Sequence, residues 1–340
     1  MNVTVIIATR NRSEGLRHTL ESILCDANLN QPDWEVVVVD NASDDATPEV
    51  CRAFCSKHPT AMRYLVEKQV GKSNALNLGI SAAKGGILAF TDDDVICADD
   101  YIPSILNVFE KTSADAAQGR VFLDFEGGEP PWISSLHRDF LSCCDYGDEI
   151  IESFTHPISG TNMVVRAEAA RAVGGFAPEL GPGTAGGFSD DTEFSWRLKR
   201  AGCRLIYAPQ IVARHQVSRN RLTRRYLRAR YFRLGRSRAY YGPYEAPLWR
   251  FGLYVVKNWM IRDVKAVWHR RNGRLAEALD CQCQARFQAG FFWQHCLFYF
   301  GVPRRLTRVT SWPVQAAACG EAVEQQPGVD AAHQAQAAQG

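Results

Sequence analysis

Apolar runs alternate with amphipathic stretches along the first third of the chain. The run VTVIIA at 3–8 precedes 13–25, where Leu16, Leu20, Ile23 and Leu24 recur at helical spacing on one face. WEVVVVD at 34–40 is uninterrupted, as expected of a parallel strand buried on both faces, and 44–58 again reads as helix. MRYLV, a helix over 73–84, GILAFTD and a helix over 99–111 repeat the unit. Strand and helix in alternation predict a parallel α/β sheet joined by right-handed crossovers.

In such sheets ligands bind outside the carboxyl ends of the strands. Polar segments fall there three times: TRNR after the first strand, DNASDD after the second and DDDV after the fourth. Beyond residue 160 come GTNMVVR, the glycine-rich GGFAPELGPGTAGGFSDD and a helix over 191–201. After His215 the composition turns to arginine and aromatics, which predicts a division into 1–215, a basic helical region 216–313, and an Ala/Gln-rich tail 314–340 expected to be disordered. No internal repeat is present.

Charge sharpens that division. The net charge of +2 conceals 21 Lys+Arg against 7 Asp+Glu from Arg214 onward, so the body before it carries −12 and the remainder +14. Two parts of opposite sign are expected to meet different partners. The first apolar run is only six residues long and is followed by Arg10 and Arg12, unlike a secretory leader, so a cytoplasmic location is expected. Eleven cysteines without paired Cys-x-x-Cys spacing are expected as reduced thiols there.

Three motifs suggest chemistry. Gly71-Lys72-Ser73 resembles the end of a phosphate-binding P-loop, but that loop needs glycine at 66, where Val66 stands. Asp92, Asp93 and Asp94 at a strand end would repel one another without a cation. Oxygen donors of this kind suit Mg²⁺ or Mn²⁺ shared with a nucleotide diphosphate, with Lys72 neutralising more phosphate charge; a solvated capping cluster before 99 is the other reading. Asp190, Asp191 and Glu193 open a helix, where capping and a general base are both compatible with acidic side chains. Glu193 and Arg197 are spaced i,i+4 and are expected to pair, leaving Asp191 freer for chemistry.

Taken in order, VTVIIATRNR, VVVVDNASDD, GKSNALNLGI, LAFTDDDV, GTNMVVR with GGF, and SDDTEFSWRL resemble the family 2 glycosyltransferases over 2–216. The resemblance implies a GT-A fold, Rossmann-like with a mostly parallel sheet flanked by helices, and transfer of one sugar from a nucleotide-diphosphate donor, usually uridine-linked. It implies Thr9, Arg12, Asp40, Lys72, Asp92 and Asp93 around the nucleotide sugar, and Asp92, Asp94 and His215 around Mn²⁺ or Mg²⁺. Asp191 becomes the general base of an inverting transfer, and Gly160, Asn162 and Trp196 fall on the acceptor side. A surface or core histidine is the other reading of His215. Ser189-Asp190-Asp191 departs from the commoner Gly-Glu-Asp, and Leu76 stands where many members carry arginine. GKSNALN resembles polymerising synthases, but QVSRN lacks their Gln-x-x-Arg-Trp and no multi-span region follows, so single addition is expected.

The basic third holds ten arginines between Arg214 and Arg238, interleaved with Leu222, Tyr226, Leu227, Tyr231, Phe232 and Leu234. A nucleic-acid patch, a solvated face and a membrane-surface helix all fit that composition. PLWRFGLYVVKNWMI and AGFFWQHCLFYFGV favour an interfacial position on the inner face of the cell membrane, being aromatic yet short of the ~20 apolar residues a span requires. Core packing or homodimerisation is the alternative, and the acidic body argues against nucleic acid. The expected acceptor is lipid-linked or a saccharide, in polysaccharide assembly; the competing reading is a non-catalytic sugar-nucleotide-binding or scaffold subunit. A phosphohydrolase of the Asp-x-Asp-x-Thr type is disfavoured, because Ile96 holds the threonine position.

Overall fold

The computed structural model describes residues 2–242, 247–304 and 306. Its strands are β1 (Val3–Thr9), β2 (Trp34–Asp40), β3 (Met62–Val66), β4 (Ile87–Thr91), β5 (Val95–Cys97), β6 (Ala116–Phe125), β7 (Asn162–Arg166) and β8 (Leu205–Val217). They form one sheet in the order β3-β2-β1-β4-β7-β6-β8-β5. The pairs β1–β2, β1–β4, β2–β3 and β6–β8 are parallel, whereas β4–β7, β6–β7 and β5–β8 are antiparallel. The mostly parallel expectation holds for the first half, and β7 introduces the reversal.

The helices flanking the sheet are α1 (Ser13–Ile23), α2 (Asp26–Leu29), α3 (Thr47–Lys57), α4 (Lys72–Ala82), α5 (Tyr101–Lys111), α6 (Ser135–Phe140), α7 (Ala167–Ala172) and α8 (Asp190–Arg200). Successive residues of a strand point to opposite faces, and both faces of β1 and β2 are covered. Val3, Val5, Ile7, Val36 and Val38 accordingly join one core with Leu16, Leu20 and Ile23 of α1. Ile6, Ala8, Val37 and Val39 join the other with Ala75, Leu76 and Ile80 of α4. At about 1.5–3 kcal/mol for each fully buried aliphatic side chain, this double burial fixes the central strands and hence the positions of their polar ends.

Three longer helices follow: α9 (Arg224–Tyr241), α10 (Leu248–Arg271) and α11 (Leu275–Tyr299). The expected boundary after 215 falls two residues before the end of a strand. Strand β8 runs on to Val217, and Leu227 and Tyr231 of α9 pack with Leu279 and Cys283 of α11 against Trp132, Leu136 and Phe140. Helices α9 and α11 meet almost backbone to backbone: a Cβ on Gly235 would lie 1.9 Å from the Phe287 carbonyl oxygen, and one on Gly290 1.9 Å from that of Phe232. Helix α10 is the outermost layer, with Phe251, Val255 and Ala266 buried. The expected tail 314–340 lies outside the described residues. No disulfide joins the described cysteines.

Candidate active site

The carboxyl ends of β1, β2 and β4 converge on a cavity of about 410 Å³, whose wall includes Thr9, Arg10, Arg12, Asn41, Lys72 and Asp92 to Asp94. Gly71 sets the approach of Lys72. Its φ of +136° suits glycine, and its N–H donates to Asn41 Oδ1 at 2.7 Å. Helix α4 starts at the next residue, and Lys72 Nζ forms an ion pair with Asp92 Oδ1. The Gly-Lys-Ser motif therefore serves a lysine–carboxylate pair at the sheet edge rather than a wrapped P-loop.

Each aspartate of the triplet has its own environment. Asp92 also accepts from the Thr161 hydroxyl at 3.3 Å; burial would raise its carboxyl, but the Lys72 cation outweighs burial and holds it below the usual range. Asp93 accepts from Thr9 Oγ1 at 2.7 Å, with Arg12 Nε 3.7 Å away. Its burial wins, and its pKa rises to about 6. Asp94 Oδ2 meets Arg12 Nη1 at 3.0 Å and Arg221 Nη2 at 2.9 Å. Burial would raise Asp94 as well, yet His215, Arg221 and Arg12 hold it below the carboxylate range.

His215 is buried beside Asp94, its Nε2 3.5 Å from Asp94 Oδ1. Nδ1 lies 2.7 Å from the Leu141 carbonyl and therefore carries a proton, while Nε2 accepts from Arg221 Nη1 at 3.0 Å. Nε2 thus stands between a guanidinium and a carboxylate. A divalent ion fits this donor set: Asp94 and His215 Nε2 supply an oxygen and an imidazole nitrogen facing the cavity. No group of three His, Cys, Asp or Glu side chains forms a ready cage among the described residues, and Asp92 is turned to Lys72 and Thr161. Further ligands would have to come from a substrate's phosphates.

An adjoining cavity of about 300 Å³ shares Lys72, Asp92, Phe140 and Arg230 with the first and is lined by Asp190 and Asp191. Asp191 is half-buried in the first turn of α8. Its Oδ2 accepts from the Gly160 N–H at 3.0 Å and its Oδ1 from the Thr192 N–H at 2.6 Å, which fix the carboxylate without neutralising it. The expected Glu193–Arg197 pair forms beneath it, with Arg197 Nη2 2.8 Å from Glu193 Oε2. Asp190 is buried, and burial together with Asp191 pushes its pKa up to about 6 against the opposing pull of Lys72.

Three expected site residues stand elsewhere. Asp40 is buried with Oδ1 accepting from Ser43 N–H and Oδ2 from the Tyr64 hydroxyl, both at 2.9 Å; Asn41 reaches the cavity wall instead. Asn162 is fully buried, held by the Tyr101 hydroxyl at 3.0 Å and by the carbonyls of Arg120 and Ile211, so its amide ties strands together. Trp196 lies under Lys199 against 155–157, outside both cavities. Conversely, Arg10, Arg221, Tyr226 and Arg230 line the first cavity without having been singled out. The signal for the last three was the arginine- and tyrosine-rich run directly after His215.

The sheet order, the two adjoining cavities and the acidic strand end give the chain a GT-A fold. The Glycosyl transferase family 2 model matches residues 4–174, and the chain belongs to that family. Residues of this chain are 26% identical over 213 positions to the glycosyltransferase AglE of Haloferax volcanii, covering 63% of this chain and 66% of that one. They are 28% identical over 225 positions to the pre-mycofactocin glycosyltransferase of Mycobacterium tuberculosis, covering 63% and 42%. A poly-beta-1,6-N-acetyl-D-glucosamine synthase of Staphylococcus epidermidis is 24% identical over 209 positions, covering 61% and 48%. The chain thus spans less than two thirds of the length of these relatives. In fold it resembles TarS 1-349 of S. aureus, with TM-score 0.51 and 14% identity over 90% of this chain and 93% of that one. The mannosyltransferase PcManGT of Pyrobaculum calidifontis, solved with GDP-Man and Mn2+, gives 0.50 and 23% over 88% and 79%.

Proposed function

We propose that the protein moves one sugar, with inversion, from a nucleotide-diphosphate sugar, usually uridine-linked, to a lipid-linked or saccharide acceptor in polysaccharide assembly. One observation carries this reading: Asp191, held by two backbone N–H groups, faces a cavity that adjoins the Asp94–His215 pair. The acceptor oxygen forms a bond to the anomeric carbon as the bond from that carbon to the diphosphate oxygen breaks. The hydroxyl proton passes to Asp191, and the bonding pair leaves with the diphosphate. Thr9, Arg12 and Asn41 bound the nucleoside end, and Lys72 stands where phosphate charge grows. Asp94 and His215 would hold Mn²⁺ or Mg²⁺, which supplies Lewis-acid stabilisation of the leaving diphosphate.

Supporting the acceptor class, a curated relative is named as a polysaccharide synthase. A scaffold subunit would need no oriented carboxylate opposite a paired lysine. The test is release of nucleoside diphosphate from a panel of nucleotide sugars, with and without Mn²⁺. Slow metal-dependent release from one donor supports transfer. Binding of a donor with no release under any acceptor or metal condition would establish the scaffold instead.

We further propose that helix α10 lies on the anionic inner face of the cell membrane. Among the described residues no helix is long and apolar enough to cross a membrane. Yet α10 exposes Trp249, Leu253, Trp259, Met260, Val264 and Trp268, interleaved with Arg250, Lys257, Lys265 and Arg270 and a single acid, Asp263. Apolar area beside positive charge matches an anionic bilayer, whereas a second copy would bring like charges together. Vesicles of phosphatidylglycerol should sediment the full-length protein and those of phosphatidylcholine much less. Trp259→Ser with Val264→Ser and Trp268→Ser should abolish that binding. Unaltered sedimentation, or a dimer that dissociates in the triple variant, would refute the membrane assignment.

A further inference from the structure

Arg230, on α9, is the one cationic side chain besides Lys72 that lines both cavities among the described residues. Of the other cations on the first cavity's wall, Lys72 is matched by Asp92, Arg12 by Asp93 and Asp94, and Arg221 by Asp94, while Arg10 is exposed to solvent and does not reach the second cavity. Arg230 has no ion pair and no hydrogen bond among the described residues. Its guanidinium sits over aromatic rings instead, Cζ 3.5 Å from the centre of the Phe188 ring and 5.9 Å from that of Phe140. Phe188 is in turn fixed through its N–H to Ser237 Oγ at 2.9 Å.

A guanidinium held over a ring by cation–π attraction keeps its N–H groups available, and their fork matches two oxygens of a phosphate. Burial lowers the Arg230 pKa, consistent with a positive charge that lacks its counter-ion. A paired structural arginine in this protein looks different: Arg197 donates to Glu193 and to two carbonyls.

We propose that Arg230 is the receptor for a phosphate group bound at the junction of the two cavities. The phosphate could belong to the donor's diphosphate or to a phosphate-bearing acceptor, and the guanidinium edge is equally suited to either. The inference rests on the transfer reading only in placing a phosphate-bearing substrate here, and binding measured without turnover keeps the two separable.

Titration calorimetry on the full-length protein with pyrophosphate, UDP and geranyl phosphate tests it, comparing wild type with Arg230→Met. Loss of one charge-assisted contact should weaken the affected ligand about ten-fold or more. Weakened pyrophosphate and UDP assign the donor's diphosphate, and weakened geranyl phosphate alone assigns the acceptor. Affinities within two-fold of wild type for all three ligands would overturn the proposal. If Arg230→Met melts early, Arg230→Gln carries the same comparison, with Arg200→Met as the exposed-arginine control. Equal affinities in Arg230→Gln also count against it.

Discussion

The guanidinium of Arg221 donates to Asp94 Oδ2 at 2.9 Å. It also caps His215 Nε2 at 3.0 Å, so one cation from the segment after β8 occupies both side chains suited to a divalent ion. A metal held as proposed would have to exchange this contact. Asp94→Asn is expected to erase the thermal shift on adding MnCl₂ and to lower turnover by about 100-fold or more, since Lewis-acid stabilisation supplies several kcal/mol. Arg221→Met should keep the Mn²⁺ shift or enlarge it, because a competing cation is gone. The opposite pattern, with the shift lost in Arg221→Met and kept in Asp94→Asn, would place the metal elsewhere.

Asp191 is held by N–H groups of Gly160 and Thr192 rather than by a cation. Such an arrangement orients the carboxylate and leaves it without an ion-pair partner among the described residues. Asp191→Asn keeps the shape and removes the proton acceptor, so kcat should fall by roughly 10²- to 10⁴-fold while donor affinity stays within a few-fold. Titration of the nucleotide donor alongside the rate assay checks both halves. Residual activity above one tenth of wild type would remove Asp191 from the proton's path.

The central strands were legible because double-sided burial imposes unbroken apolar runs, as in Trp34–Asp40, and covered helices show their period, as in α1. Strand ends carrying Thr9 and Asp92 to Asp94, and the helix start at Lys72, followed from that alternation. What escaped was set by long-range packing. Asn162 reads as a polar residue in a ligand loop, but Tyr101 and two carbonyls claim its amide. Arg221 and Arg230 sat in a run whose ten arginines look alike by composition. Only the docking of α9 against 132–140 decides which of them face the cavities. The change of composition at 215 falls inside β8, and the helices after it pack against 132–140.

Asp190 offers a pH test. Its folded-state pKa of about 6 lies above the ~3.9 of an unfolded aspartate. The folded protein therefore binds this proton more tightly. The resulting stability is fully present below about pH 4 and is lost as pH rises through 6, a change on the order of 3 kcal/mol. Asp190→Asn should remove that part of the slope and leave the variant relatively more stable at pH 7.5 than at pH 4. Urea midpoints of both proteins across that range provide the check, and parallel curves would contradict it.

Beneath Asp191, Arg197 and Glu193 form a pair whose side chains are 7% and 6% exposed. Arg197 also donates to the Val173 and Gly175 carbonyls, tying the first turns of α8 to the loop after α7. Removing one partner strands the other charge in a dry site, so Arg197→Met or Glu193→Leu alone should cost about 3–5 kcal/mol in urea unfolding. The double variant should cost less than the sum of the two, because no orphan charge remains. Since Asp191 lies two residues before Glu193, the single variants should also lower turnover while the donor still binds. Strict additivity, or single losses below about 1 kcal/mol, would mean that the pair is screened by water and that the base is positioned by its backbone contacts alone.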